Sequence, residues 1–327
     1  MDEIYIDALR SVLTDHCTLQ AVRDIEGDQS PESLWEALEE SGFADALIPE
    51  ADGGAGLSLG EAFPLLELCG TFVVPVPLAE TMVARSLLAP AGLQRPGGSI
   101  ALAQGRGLAD GTLVCDRVSY GRVADWVLAG LGDSFLLLPV DAASATDAVS
   151  ALDATLSWPA AAQAMAQRMP AGTDLRVLQA CVLAAQLAGA LASVFTRTLQ
   201  YANDRNQFGR PIGKFQAIQH QLSVISEHVF AARMAARMGC STDRLRVAIA
   251  KARTSEAAVE VAALSHSIHG AIGFTEEFDL QMYTRRLHAW RQAGGSESYW
   301  HDVIGTELVD HRQGLALDLI RATTDPV

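Results

Sequence analysis

The stretch YANDRNQFGRPIGKFQAIQHQ, residues 201 to 221, sets an arginine, an aromatic ring and several neutral amides between two strongly helical runs. Gly209, Pro211 and Gly213 interrupt the helix, which leaves Arg205 and Phe208 at a helix end. Arg205 offers a planar fork of donors suited to a diphosphate, and Phe208 an apolar face suited to an adenine ring. Gln207, Gln216 and Gln219 add neutral hydrogen-bonding groups. Together these residues suit a dinucleotide, and the same residues also fit a surface ion pair plus a core plug. A second turn, His269, Gly270, Ala271, Ile272, Gly273 and Phe274, follows a helical run and reads at minimum as a helix C-cap. No two histidines pair with a carboxylate at zinc-site spacing, and none of Cys17, Cys69, Cys115, Cys181 and Cys240 forms a Cys-x-x-Cys pair. No metal site is expected, and the cysteines read as reduced core residues.

The elements that must carry these residues divide the chain in three. Its 327 residues are 49% hydrophobic, enough to bury large cores. A formal net charge of -15 argues against nucleic acid or an anionic membrane as partner. The acidic start MDEIYIDALRSVLTD lacks the layout of a signal peptide, and no apolar run approaches about 18 residues, so the expectation is a cytoplasmic protein. Residues 1–94 read as an N-terminal domain of three or four helices, with Ser30 and Pro31 opening one of them. Residues 95–160 hold short apolar runs separated by Asp110-Gly111 and Gly132-Asp133, the pattern of β-hairpins. Within them Trp126 and Trp158 read as core of a small sheet. Residues 161–327 read as a bundle of long helices. The first is capped by Thr173 or Asp174, the second carries the stripe Phe215, Ile218, Leu222, Ile225 and Val229, and the third is capped by Ser241 or Thr242. Further helices are expected over 277–292 and from 297 to about 322.

Four stretches resemble the acyl-CoA dehydrogenase family. They are LWEALEESGFADALIPEADGGAGLSLGEA, the motif at 201–221, HSIHGAIGFTEEFDLQMYTRRL, and AWRQAGGSESYW. The resemblance spans nearly the whole chain and implies a mainly α fold: a helical N-terminal domain, a middle β-domain and a C-terminal four-helix bundle. It implies FAD as cofactor, contacted by Arg205, Gln207, Phe208 and Gln216 and by the turn at Ser267, Gly270 and Ala271. Ser267 and Ala271 depart from the family pattern there. In the family the first motif reaches a flavin bound mainly by a neighbouring subunit, so the resemblance also implies an oligomer.

Family members remove the α-proton of an acyl thioester with a glutamate while the β-hydrogen leaves as hydride to the flavin. A positioned carboxylate in a dry site is needed for so weakly acidic a proton. The two positions that supply this glutamate in the family align with Gly294 and with Gln179, 26 residues before Arg205, and neither residue is a base. Glu297 lies nearby but reads as the acid of a helix start. The Thr-Glu-Pro and Gly-Ser segments that hold the flavin ring and thioester in the family have no counterpart between Gly97 and Pro159. The resemblance is therefore to the short, non-catalytic subunit of α2β2 enzymes acting on CoA thioesters of steroid side chains, in which a homologous partner supplies the glutamate and most of the flavin site. The alternatives are a self-sufficient flavin dehydrogenase with an unorthodox base, and a flavin-free scaffold or CoA-binding protein.

Overall fold

The computed structural model describes residues 3–164, 166–310 and 315–324. Five helices precede the sheet: α1 (Glu3–His16), α2 (Leu19–Glu26), α3 (Glu32–Glu40), α4 (Leu59–Thr71) and α5 (Leu78–Leu88). That is at least one more than the sequence suggested, because α1 and α2 are separated only by a cap at Thr18, whose hydroxyl accepts from Ala21 N. Ser58 and Glu61 close a reciprocal capping box at the start of α4.

Seven strands follow: β1 (Ile100–Gly107), β2 (Leu113–Val118), β3 (Trp126–Leu131), β4 (Ser134–Pro139), β5 (Ser144–Asp147), β6 (Ala154–Trp158) and, after the short helix α6 (Ala160–Gln163), β7 (Gln167–Pro170). Their order is β5-β6-β2-β1-β3-β4-β7, antiparallel except for β1 beside β3. Both expected hairpin turns form. The sheet nevertheless runs on to Pro170, beyond the boundary expected at residue 160. β7 contributes one buried side chain, Met169, and is held by pairing with the edge of β4, so no apolar alternation announces it. Side chains alternate across the sheet. Ile100, Leu102, Leu128 and Leu137 join the main core with the helices, while Ala101, Ala103, Val127, Leu136, Leu138 and Trp158 form a second core on the other face.

Helix α7 (Leu175–Asp204) begins at Asp174, which accepts from Arg176 N, and runs 30 residues, about 45 Å. Contrary to the expectation of no long apolar run, α7 is apolar and long enough to cross a membrane by composition alone. Here 89% of its most apolar window is buried, because neighbouring helices surround it. A hairpin of β8 (Asn206–Gln207) and β9 (Arg210–Pro211) leads to α8 (Gln216–Met238) and α9 (Arg244–His269). The cap of α9 is Asp243 rather than Ser241 or Thr242; its carboxylate accepts from Arg246 N. α10 (Leu280–Gln292), α11 (Glu297–Asp310) and α12 (Ala316–Thr324) complete the fold. Two glycines let α4 lie directly on α7. A Cβ at Gly70 would fall 1.8 Å from Gln186 O, and one at Gly189 would fall 2.0 Å from Glu67 O.

Candidate active-site cavity and cofactor-contact surface

β1 pairs with β2 only through Gly105–Gly107, and upstream of that the two strands part. The exposed edge of β1 is satisfied by side chains instead. Thr81 Oγ1 accepts from Ile100 N at 2.8 Å, and Glu80 Oε2 accepts from Leu102 N at 2.6 Å. From α7, Gln179 Nε2 donates to Leu102 O at 2.8 Å. Glu80 is wholly buried and its carboxyl is pushed up to about 8 by that burial.

Where the strands part, a cavity of about 810 Å³ opens between the sheet, the start of α7, the end of α10 and the loop before α11. Gln179 and Gly294 both line it. The two positions that the family resemblance marks for a base are thus brought together from 115 residues apart. Gly294 packs directly on α7. It has φ +65°, and a Cβ there would meet Leu183 at 3.1 Å and Ala180 N at 3.4 Å. A side chain at 294 would be strained, and Gln179 is a neutral amide already engaged with β1.

The loop is held from below by Lys251, a wholly buried residue of α9. Its ammonium donates to Arg291 O at 2.9 Å, Gly295 O at 3.0 Å and Ser255 Oγ at 3.1 Å, using all three N–H groups. Burial pulls its pKa down to about 7, with Glu297 acting in the opposite sense. Glu297 itself begins α11, as expected of a helix-start acid, and is ion-paired with Arg291; it does not line the cavity. Three other acids do: Glu26, Asp116 and Asp153. Asp153 sits in the loop before β6, and burial raises its carboxyl to about 6 against the opposing pull of Arg286.

The dinucleotide-type motif lies at the other end of α7. Arg205 caps the helix, its N–H donating to Tyr201 O, and its side chain has no hydrogen-bond or ion-pair partner among the described residues. Phe208 sits at φ +53° at the hairpin tip and is 92% exposed, so it is not a plug in this chain's own core. Gln207 and Gln216 are exposed beside it. The end of α9 is adjacent: Tyr201 stacks on His269 at 4.3 Å and donates to its carbonyl, and Gln221 Nε2 donates to Ser267 Oγ at 3.3 Å. Gly270 has φ +65° with nothing within 4 Å of where a Cβ would be, and Ala271 beside it is exposed. All seven expected cofactor-contact residues therefore gather at one bundle end. The 26 residues from Gln179 to Arg205 place the cavity about 39 Å away along α7.

Sequence reasoning missed Glu80, Lys251 and Asp153. The first two do leave a signal, a lone acid in LAETMVA and a lone lysine in AIAKA. An isolated charge in an apolar run has to find buried partners.

Comparison with known proteins gives the lineage. A family model described as the acyl-CoA dehydrogenase C-terminal domain matches residues 178–309. The chain is 31% identical over 300 residues to the acyl-CoA dehydrogenase IpdE2 of Mycolicibacterium smegmatis, which covers 90% of this chain and 94% of that one. It is also 31% identical over 296 residues to IpdE2 of Mycobacterium tuberculosis, covering 88% and 90% respectively. Among solved structures, the Tcur3481-Tcur3483 steroid ACAD G363A variant superposes with a TM-score of 0.82 at 25% identity, over 94% of this chain and 98% of that one. The ChsE4-ChsE5 complex of Mycobacterium tuberculosis does so with 0.78 at 22%, over 96% and 98%. With a fold, a cavity and motifs that agree, the chain belongs to the acyl-CoA dehydrogenase family of oxidoreductases acting on acyl-CoA thioesters.

Proposed function

We propose that this chain is the subunit of a heteromeric acyl-CoA dehydrogenase that lacks a base of its own and caps the FAD of a homologous partner. The observation that carries the reading is the cavity wall. Both base positions converge there, and they hold a buried amide and a glycine whose backbone would strain any side chain. The Tcur3481-Tcur3483 steroid ACAD among the solved structures is named for two chains, which supports a partner and a steroid-type acyl thioester as substrate. An α2β2 assembly in the cytoplasm, with three regions meeting near residues 94 and 160 to 170, belongs to the same reading. Phe230 at 62% and Met234 at 68% exposure give α8 an apolar face for a partner.

The residues at the far bundle end fit FAD. An arginine without a partner, an exposed aromatic ring and open space before Gly270 are what an extended diphosphate and adenine require. When bound, FAD supplies the two-electron acceptor for the β-hydrogen. Arg205 would hold the diphosphate, Phe208 would cover the adenine face, and Gln207, Gln216, Ser267, Gly270 and Ala271 would line the rest. A distance of about 39 Å along α7 is more than one dinucleotide bridges, so this end serves a neighbour's flavin rather than this chain's cavity.

A second reading, a self-sufficient enzyme, is favoured by one observation: Asp153 is a half-buried carboxyl raised to about 6 on the cavity wall. Co-expression with the partner separates the two, read by visible flavin absorbance and turnover. Flavin and turnover only in the complex, retained in Asp153→Asn, supports the capping role. Flavin and turnover in the lone chain, lost in Asp153→Asn, establishes the second reading. Flavin in neither leaves a scaffold.

A further inference from the structure

Two histidines one turn apart near the end of α9 each have one ring nitrogen sealed from water. His269 is 4% exposed; it stacks on Tyr201 at 4.3 Å and meets Phe278 at 4.9 Å. Its Nδ1 lies 2.8 Å from Ser265 O, and a carbonyl only accepts, so Nδ1 carries the proton and Nε2 is bare. His266 stacks on Phe274 at 4.1 Å, with Nε2 2.9 Å from Thr284 Oγ1. That hydroxyl donates to Gln281 O at 3.4 Å, which leaves it to accept from Nε2–H, so the bare nitrogen of His266 is Nδ1. Both bare nitrogens are buried with no hydrogen-bond partner among the described residues. The 3-10 turn Gly270–Phe274 lies directly over the pair: a Cβ at Gly273 would fall 3.0 Å from His269 Cβ and 3.1 Å from His266 Nδ1.

A bare ring nitrogen is buried at modest cost, but its protonated form is a charged donor that needs an acceptor. Among the described residues no carboxylate pairs with either ring. His288 of α10 acts on His266, and His266 on His269, both against protonation. From α7, Tyr201 spends its hydroxyl on His269 O and Asp204 accepts from Gln200; from α8, the neutral Gln221 meets Ser267. Beyond the turn, Glu276 and Glu277 are exposed, and Asp279 is held by Arg23 and Arg197. We propose that His266 and His269 form an acid-sensitive joint: the Gly270–Phe274 turn stays docked on α7 and α9 while both rings are neutral, and opens locally when they take up protons. Burial holds both rings below the ordinary 6.5. The stability they contribute is therefore full above about 6.5 and lost as pH falls through their folded values. The joint belongs to this chain's own packing and does not depend on the capping role.

Hydrogen exchange followed by mass spectrometry tests it, on the full chain purified with its subunit partner, between pH 8 and pH 5 and corrected for intrinsic exchange rates. Protection of residues 266–275 should fall about tenfold or more between pH 7 and pH 5, the scale set by a proton taken up at each histidine on opening. The buried half of α7, residues 175–191, should keep its protection. His266→Gln combined with His269→Phe, which keeps an amide for Thr284 and a ring against Tyr201, should flatten the dependence. Exchange of the imidazole C2 hydrogens reads the two rings in the wild-type chain, whether or not the double variant folds, and should place both below 6.5. The proposal is overturned by protection of 266–275 that is level with pH in the wild type, by an equal loss along α7, by the same loss in a folded double variant, or by either ring titrating at or above 6.5. Flavin content of the same samples reports on the capping role separately.

Discussion

The two ends of α7 meet opposite fates. At its start, Gln179 is 6% exposed with its amide donated to Leu102 O, and Thr81 and Glu80 satisfy the rest of the free β1 edge. At its end, Arg205 has no side-chain partner among the described residues and Phe208 is 92% exposed. One end has turned its polar groups inward onto its own backbone, and the other holds strong donors in reserve. Unspent hydrogen-bonding capacity is a sharper guide to a contact with another molecule than residue type alone, since buried groups pair wherever they can. The comparison predicts that substitutions at the two ends will affect different measurements.

The largest effect is expected at the exposed end. Arg205→Ala should weaken flavin retention by the assembled complex about ten- to a hundredfold, the usual worth of a hydrogen bond to a charged group. Arg205→Lys should recover only part, because a point charge cannot reproduce the planar fork. Flavin occupancy against added FAD is the measurement, with subunit stoichiometry followed in parallel. Unchanged occupancy in a complex that falls apart would make Arg205 an interface ion pair instead.

At the enclosed end the response should be in stability. Lys251→Met leaves Arg291 O and Gly295 O without their donor and unseats the loop that carries Gly294. A loss of about 2 kcal/mol is expected from carbonyls stranded in the interior. The denaturant midpoint of the complex reads it, while flavin occupancy, which depends on the far end of α7, should stay within about twofold of wild type. A change in occupancy as large as that of Arg205→Ala would break the separation of the two ends.

How much of this was legible depended on range. Local signals located the hairpin turns at Asp110-Gly111 and Gly132-Asp133 and narrowed the cap of α7 to Thr173 or Asp174, of which Asp174 forms it, because each is decided within a few residues. The cap of α9 was expected at Ser241 or Thr242, and the next polar residue, Asp243, takes it with a carboxylate that accepts from Arg246 N. β7 was invisible, since its one buried residue gives no period. The site divided the same way. The motif around Arg205 announces itself, but the convergence of Gln179 and Gly294 joins residues 115 apart, and only the family resemblance pointed to it. Asp153 gave no signal at all: an aspartate in a loop is unremarked until the fold half-buries it on a cavity wall.

A smaller and pH-dependent effect is expected at Glu80. Its folded pKa, about 8, lies above the ordinary 4.5. Between those values the folded chain keeps a proton that the unfolded chain releases, so this residue's contribution to stability is full below about 4.5 and is lost as pH rises through about 8. Glu80→Gln keeps an oxygen for Leu102 N and removes the titration. Its stability relative to wild type should rise progressively from pH 5 to pH 8, by at least about 1 kcal/mol across that window, because only the wild type loses stability there. Thermal melts across that window test it; a difference independent of pH would mean that Glu80 acts through packing alone.

The smallest effect is expected at Glu297, and it bears most directly on whether the enclosed end retains chemistry. This carboxylate is the acid closest in sequence to Gly294, three residues on, and Oε2 lacks a hydrogen-bond partner among the described residues. Two features argue against a role as base. It opens α11, where a negative charge is favoured by the helix N-terminus, and it is paired with Arg291, outside the cavity wall. A base must come within hydrogen-bonding reach of the proton it removes, and Glu297 would have to give up that pair and leave its helix to do so. Glu297→Gln keeps shape and one acceptor while removing the charge. Turnover of the assembled enzyme should therefore stay within about threefold of wild type, against the roughly hundredfold to ten-thousandfold worth of a general base. Single-turnover reduction of the flavin by substrate is the measurement. A drop of about a thousandfold with flavin retained would identify Glu297 as the proton acceptor and return the chemistry to this chain.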